Sequence, residues 1–341
     1  MTRTNQLWRL AGRPDGLAGR EHFSWHEEPV PALKDGEFLA RNLYLSFDPT
    51  LRVWMNERDS YVSAIQIGEV MRGFSIAQIV ESKHDGFAVG DIVTGGFGWQ
   101  AYAVTDGRGI SAVQKVPDGV PLTMPLSVLG VTGVTAYFGM TDVGNVKDGD
   151  VVVVSGAAGA TGSVAGQVAR LSGASRVIGI AGGPDKCAWL TETAGFDVAI
   201  DYKAENVGKR LAEETPKGID VYFDNVGGPL LDTVLARIAI GARIVLCGAI
   251  SGYNAAASEQ SGLRNVSNLI VNRGRMQGFI ILDYAKRFPE AAGQLAQWVG
   301  EGKLAYQEDI QDGLENAPET FQRIFTGKNR GKQLLKIADP E

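Results

Sequence analysis

The chain has 341 residues, enough for two domains that each bury a core, and its 44% hydrophobic and 21% charged content fits a globular protein rather than a fibrous or disordered one. A net charge of −6 without any basic block argues against a nucleic-acid partner, and no apolar run reaches membrane-spanning length. The N-terminal stretch MTRTNQLWRLAGRPDG lacks the apolar core of a secretory signal, and two cysteines, Cys187 and Cys247, cannot build a disulfide framework, so a cytoplasmic protein is expected.

Residues 1 to about 125 read as β-rich, with strand patterns at 37–46, 73–82, 92–93, 101–104 and 112–117. Asp85-Gly86 and Val89-Gly90-Asp91 supply turns between them. Short strands this closely spaced predict a barrel-like or partly closed sheet. Segment 54–70, with Trp54, Met55, Tyr61 and Ile65, reads as a pocket-lining loop. Between 121 and 140 the apolar residues stand among glycines, and a linking pair of helices is expected.

From Asp150 the period becomes β-α-β. Strands are expected at 151–154, 177–181, 198–200, 219–223, 244–246 and 276–281, with helices at 184–194 and 229–240 among them. That alternation predicts an α/β fold with a doubly wound parallel sheet of the Rossmann type. Its first unit is the most telling stretch of the chain. Four valines, Val151 to Val154, look like a strand buried on both faces. Gly156-x-x-Gly159-x-x-Gly162 follows, and a helical pattern starts near Ser163. Strand, glycine turn and helix together cradle a pyrophosphate, because the turn is tight and the helix N-terminus presents free amides. After the sheet, a helix near 318–325 and a strand near 333–337 form a tail. It is expected to return to the first domain, giving 1–128 with 302–341 as one domain and 129–301 as the other.

An NAD site places an acid at the tip of the second strand. Here that strand runs into Gly182-Gly183-Pro184-Asp185-Lys186, with Asp185 falling in the first turn of the next helix. Lys186 could meet a ribose 2′-phosphate, which favours NADP, or could be a solvated helical lysine. Tyr202, after the third strand, could close over the same phosphate or be a packed rim aromatic. The histidines, His22, His26 and His84, and the two cysteines show no metal-ligand spacing, so no zinc is expected. No activated-nucleophile motif stands out either. Hydride transfer by a cofactor remains.

Several motifs occur in a fixed order: Leu129-Gly130-x-x-Gly133-x-Thr135-Ala136-Tyr137, the Ala157–Gly162 turn, Asp224-Asn225-Val226-Gly227-Gly228 and Cys247-Gly248-Ala249-Ile250-Ser251-x-Tyr253-Asn254. Met276-Gln277-Gly278-Phe279 and Gly327-Lys328-Asn329-x-Gly331-Lys332 complete the set. Over essentially its whole length the chain resembles the zinc-free branch of the medium-chain dehydrogenase/reductase superfamily. That branch holds the alkenal/enone double-bond reductases, the prostaglandin reductases and the curcumin reductases. The resemblance implies a GroES-like first domain, NADP(H), and reduction of a C=C bond conjugated to a carbonyl in a small enone or enal.

By position, Ala158, Gly159, Ala160, Thr161 and Gly162 would hold the pyrophosphate, and Lys186 and Tyr202 the 2′-phosphate. Asn225 would face the nicotinamide side and Asn329 would contact the cofactor from the tail. Cys247, Gly248, Ala249 and Ile250, with Phe279, Ile280 and Ile281, would line the cofactor. Tyr253 would be the catalytic hydrogen-bond donor to the substrate carbonyl, or a purely cofactor-binding hydroxyl. A homodimer joined near 276–281 is also implied. There are departures: Thr50-Leu51-Arg52 stands where the family has a tyrosine after Asp48-Pro49, and Gly183 stands where it has serine. A quinone reductase of the same superfamily and a cofactor-binding protein without turnover are the alternatives.

Overall fold

The computed structural model describes residues 3–57, 60–109, 112–255 and 262–341. Backbone contacts divide it into two compact units, Met1–Leu126 with Glu308–Glu341, and Ser127–Gln307.

In the first unit, β1 (Thr4–Leu10) and β2 (Phe23–Pro29) pair as an antiparallel ribbon. Neither shows the strict apolar alternation that marks a strand in sequence. A larger sheet holds β3 (Phe38–Ser46), β4 (Ser75–Ser82), β5 (Ile92–Gly95), β6 (Tyr102–Thr105) and β7 (Gln114–Lys115). The strand expected at 112–117 contracts to two residues. Pro117 has no N–H with which to extend the ladder.

The short helix α1 (Thr50–Trp54) opens the segment expected to line a pocket, and there the expectation is corrected. Trp54, Met55 and Ile65 are buried in one core with Trp8, Trp99 and Phe321. They fill this unit's interior instead of facing a ligand. Tyr61 is exposed, its hydroxyl 3.0 Å from Thr50 Oγ1. Positions 58 and 59 of that segment lie outside the described residues. Arg52, on α1, is buried too: its guanidinium donates to the carbonyls of Pro14 and Gly16 and to Asn56 Oδ1. It ties the 14–16 loop down.

The second unit opens with α2 (Val131–Phe138), which runs on into one π-helical turn, Gly139–Val143. A single helix stands where a pair was expected, because Pro121, Pro125 and Gly130 leave room ahead of it for no more than the 3-10 turn Met124–Leu126. The chain then alternates strictly: β8 (Val151–Ser155), α3 (Ala160–Leu171), β9 (Arg176–Ala181), α4 (Pro184–Glu192), β10 (Val198–Asp201), α5 (Val207–Glu214), β11 (Ile219–Asp224), α6 (Gly228–Leu235) and β12 (Ile238–Leu246). Then come α7 (Asn268–Val271), β13 (Arg275–Gly278) and α8 (Phe288–Gly300).

All six strands of this sheet are parallel, in the order β10-β9-β8-β11-β12-β13. Val152, Val153 and Val154 on the central β8 are fully buried, as a strand covered by helices on both faces requires. Several boundaries differ from expectation. α3 begins at Ala160, three residues early, because Ala160, Thr161 and Gly162 are small enough for its first turn to lie close to the glycine loop. The helix expected to reach 240 ends at Leu235, and Ile238 already opens β12. β13 stops at Gly278, so Phe279 and Ile280 leave the sheet and Ile281 starts the 3-10 stretch Ile281–Arg287.

The chain returns to the first unit with β14 (Glu308–Asp312), α9 (Ala317–Thr326) and β15 (Lys332–Lys336). The sheet order there is β14-β15-β3-β4-β5-β7, with β6 added beside β3. Trp8 Nε1 donates to the Leu314 carbonyl at 2.8 Å and binds the two sequence segments of this unit together.

Candidate functional site

The strand order of the second unit reverses between β8 and β11. Chain growth runs from β8 outward through β9 to β10, and from β11 outward through β12 to β13. In an open parallel sheet the crevice beyond the carboxyl ends of the strands at such a point is where ligands bind.

The glycine turn leaves β8 at that point. Gly156 sits at φ +57°, a conformation side chains rarely adopt, and this turns the chain sharply. Gly159 caps α3 in extended geometry. At Gly162 a Cβ would lie 2.4 Å from the Gly156 carbonyl oxygen, so only glycine lets the helix lie this close to the loop. Ala158, Gly159, Ala160, Thr161 and Gly162 therefore form one contiguous cradle under the start of α3. Its first-turn amides have no intrahelical acceptor and suit an anionic pyrophosphate.

Beside it, β9 ends at Ala181 and Gly182-Gly183 lead into α4. Lys186 is the third residue of that helix, and Asp185 is in its first turn as expected. Tyr202 follows β10, and its ring lies over Gly182, where an added Cβ would come within 2.7 Å of it. The structure thus brings Lys186 and Tyr202 to adjoining strand ends. The chain leaving β9, Ala181-Gly182-Gly183, carries no acid of its own where an NAD site has one; the carboxylate that reaches this tip comes from the neighbouring strand, Asp201, which accepts the Gly183 N–H at 2.8 Å. Cys187, partly buried and beside Asp201 and Glu205, has its thiol pushed above the usual range, by burial first.

On the other side of the reversal, Asn225 follows β11. Its N–H donates to Ser155 Oγ at 2.9 Å and its Nδ2 to the Ser155 carbonyl at 2.7 Å. Beneath it lies a fully buried carboxylate, Asp224. One oxygen, Oδ1, accepts four hydrogen bonds: from Ser155 Oγ and Tyr222 Oη at 2.8 Å, and from the Val226 and Gly227 N–H groups at 3.0 Å. The Asp224 carbonyl also accepts the N–H groups of Cys247 and Gly248. The ends of β8, β11 and β12 are thereby fastened to one residue. Burial, with the Asp224 charge beside it, holds the Tyr222 hydroxyl far above its ordinary value, and the same two causes push the Cys247 thiol up to about 12.

Cys247, Gly248, Ala249 and Ile250 trace the loop after β12. The chain then folds back so that the Ala249 N–H donates to Tyr253 Oη at 3.2 Å. Tyr253 is thus held at the end of β12, two strands from the glycine turn. Phe279, after β13, packs its ring against Gly139 at the end of α2. It lies at the far edge of the row of strand ends from Lys186 and Tyr202, with Ile280 and Ile281 next to it. Asn329 belongs to the first unit, where it is buried and its Nδ2 donates to the Gly331 carbonyl at 3.0 Å.

Sequence reasoning missed Ser155, Asp201 and Asp224. Asp224 stood inside a motif already singled out, but nothing in the sequence shows that its side chain turns inward.

Residues 6–113 match the family described as N-terminal domain of oxidoreductase, and residues 160–297 the one described as zinc-binding dehydrogenase. The NADPH-dependent curcumin reductase of Escherichia coli (strain K12) is 41% identical over 98% of this chain and 97% of its own. Prostaglandin reductase 1 of Bos taurus is 37% identical over 96% of this chain and 98% of its own. The chain belongs to the zinc-free, alkenal/enone reductase branch of the medium-chain dehydrogenase/reductase superfamily. Among solved structures, CurA from Vibrio vulnificus in complex with NADPH superposes with a TM-score of 0.92, is 42% identical, and is matched over 98% of this chain and 100% of its own. As a member of this branch the protein is an oxidoreductase with a Rossmann unit and a GroES-like β-rich unit. Among the described residues no group of three or more His, Cys, Asp or Glu is placed to hold a metal ion, and no helix is long and apolar enough to cross a membrane.

Proposed function

We propose that this protein reduces the C=C bond of α,β-unsaturated ketones or aldehydes with NADPH. The observation that carries this reading is the pairing, along one row of strand ends, of a glycine cradle flanked by Lys186 and Tyr202 with a tyrosine, Tyr253, held by the Ala249 N–H. The residues fit the cofactor: the cradle suits a pyrophosphate, and Lys186, in the first turn of the helix after β9, suits a 2′-phosphate. The solved relative that holds NADPH supports the same choice.

When bound, NADPH supplies the hydride that adds to the β-carbon of the substrate. The chain's part is positioning and polarity. Ala158 to Gly162 hold the pyrophosphate through backbone amides. Lys186 supplies a point charge to the 2′-phosphate and Tyr202 a hydroxyl. Asn225, anchored on Ser155, keeps the end of β11 in place. As the β-carbon is reduced, negative charge grows on the carbonyl oxygen, and the Tyr253 hydroxyl stabilises it by donating a hydrogen bond. A proton then reaches the α-carbon from Tyr253 or from water, giving the saturated carbonyl.

The test is to mix the protein with NADPH, and separately with NADH, and a panel of enones, enals and quinones, and to identify products. Saturated carbonyls formed with NADPH in preference to NADH are expected. Hydroquinones alone, or binding without turnover, would overturn the reading.

The same reading has the protein work in the cytoplasm, where Cys187 and Cys247, both unpaired here, stay reduced. It also has the protein work as a homodimer. Among the described residues β13 is a free edge of its sheet, and Ile270 and Val271, on the helix leading into it, are 81% and 67% exposed. Light scattering should give twice the chain mass, and Ile270→Glu should shift it to the monomer. A monomeric native protein would refute the dimer.

A further inference from the structure

The turn that carries Lys186 is built from two consecutive glycines, and each is required. Gly182 leaves room for the Tyr202 ring, and Gly183 stands at φ +98°, ψ 149°. Two glycines in a row are also the least ordered way to lead into a helix, since fixing each costs more backbone entropy than any other residue. Something outside the turn must pin it.

Asp201 does so. It is the last residue of β10, paired in parallel register with Ala181 at the end of β9. Its Oδ1 accepts the Gly183 N–H at 2.8 Å and the Lys203 N–H at 3.0 Å. The residue is itself held from both directions: its own N–H donates to Glu205 Oε1 at 2.8 Å and its carbonyl accepts the Glu205 N–H at 2.8 Å. The next residue, Tyr202, donates its N–H to the Ala181 carbonyl at 3.0 Å. One carboxylate thus staples the loop holding Tyr202 to the turn holding Lys186. The two bonded amides lower its own pKa, so the staple stays ionised at neutral pH.

We propose that Asp201 is a positioning residue for cofactor discrimination: it fixes the Gly182-Gly183 turn so that Lys186 and Tyr202 are already set around a ribose 2′-phosphate before the nucleotide arrives. This rests on the assignment of those two residues to the 2′-phosphate. It also explains how the chain does without the family's serine at 183. The Gly183 N–H is spent on Asp201, so recognition falls to Lys186 and Tyr202, and their placement depends on the staple. An acid after the third strand therefore has the opposite consequence to an acid after the second. The latter binds the ribose 2′-hydroxyl and selects NAD, whereas Asp201 faces a backbone amide and favours NADP by pre-organising its partners.

The experiment is equilibrium binding of NADPH and of NADH, followed by calorimetry, to the native protein and to Asp201→Ala, Asp201→Asn and Lys186→Ala. Asp201→Ala should weaken NADPH about tenfold, the scale of a lost hydrogen bond to a charged group, and change NADH less than about twofold. Asp201→Asn keeps an acceptor oxygen for the Gly183 N–H and should restore NADPH binding to within about threefold of native. Equal weakening of both nucleotides would mean that Asp201 only stabilises the fold. Tighter NADPH binding would mean that the carboxylate merely repels the phosphate, and selective loss of NADH would mean that it binds ribose. Each of these overturns the proposal. Lys186→Ala separates this failure from that of the underlying assignment: if it leaves the NADPH to NADH ratio unchanged, the 2′-phosphate assignment falls first, and the proposal with it.

Discussion

The two halves of the parallel sheet end in different materials. Beyond β8, β9 and β10 the strand ends are glycine turns, amides and two lysines, Lys186 and Lys203, with Tyr202 and Asp201 as props. Beyond β11 and β12 they are two hydroxyls and several backbone amides fastened to one buried acid, with Tyr253 after them. In the proposed function one half would recognise the nucleotide's charge through backbone and one lysine side chain. The other would hold the proposed hydrogen-bond donor, Tyr253, still. Substitutions in the two halves should therefore fail differently, the first in nucleotide affinity and the second in turnover or stability. Tyr253→Phe gives the sharpest contrast. Removing one hydrogen-bond donor to a growing oxyanion should lower kcat by about 10²–10³-fold. NADPH affinity should stay within about twofold, because the contacts proposed for the pyrophosphate and the 2′-phosphate are on the other half. Steady-state kinetics and calorimetry on the same preparation decide it; normal turnover would remove Tyr253 from the chemistry.

The next largest effect is expected at the buried acid. Asp224→Ala removes the acceptor of two hydroxyls and two amides, three of these bonds fully buried and the Val226 one partly. Leaving buried donors unsatisfied should cost about 3 kcal/mol or more of stability, read as a lower melting temperature. Asp224→Asn keeps one acceptor oxygen and should lose less. The corresponding staple on the other half, Asp201, is only partly buried, so its loss should be felt in nucleotide affinity first. If Asp224→Ala melts like the native protein, the two halves do not differ in the way argued.

The same contrast explains what the sequence reveals. The cradle half is legible because its function requires glycines at fixed spacing between a valine strand and a helix, and spacing survives in one dimension. The other half is not. Asp224 and Ser155 lie 69 positions apart and meet only through the parallel register of β8 and β11. The 54–70 segment misled for a related reason. Trp54, Met55 and Ile65 have the size and polarity of a pocket wall, and side-chain type alone does not separate a wall facing a ligand from one facing a core. Phe279, Ile280 and Ile281 look like the end of a β-run, yet the strand stops at Gly278, where residues at a sheet edge lose their neighbours.

The smallest effect follows from the Cys247 thiol, pushed up to about 12 by burial and the nearby Asp224 charge. Its ordinary value, near 9, holds in the unfolded chain. Below that pH both states keep the proton and the thiol adds no pH dependence. Between about 9 and 12 the unfolded chain releases the proton and the folded protein does not, so stability falls as pH rises. Tyr222, raised for the same reasons, adds to the loss at the upper end. Cys247→Ala should remove part of this decline, roughly 1 kcal/mol near pH 10.5 once its partial exposure is allowed for. Melting temperatures of the two proteins should converge as pH rises from 8 to 10.5, and parallel curves would show that the thiol already titrates near its ordinary value. Because the cause is the Asp224 charge as well as burial, Asp224→Asn should bring the thiol down without touching the glycine cradle. That result would mark the acid as specific to the β11–β12 half.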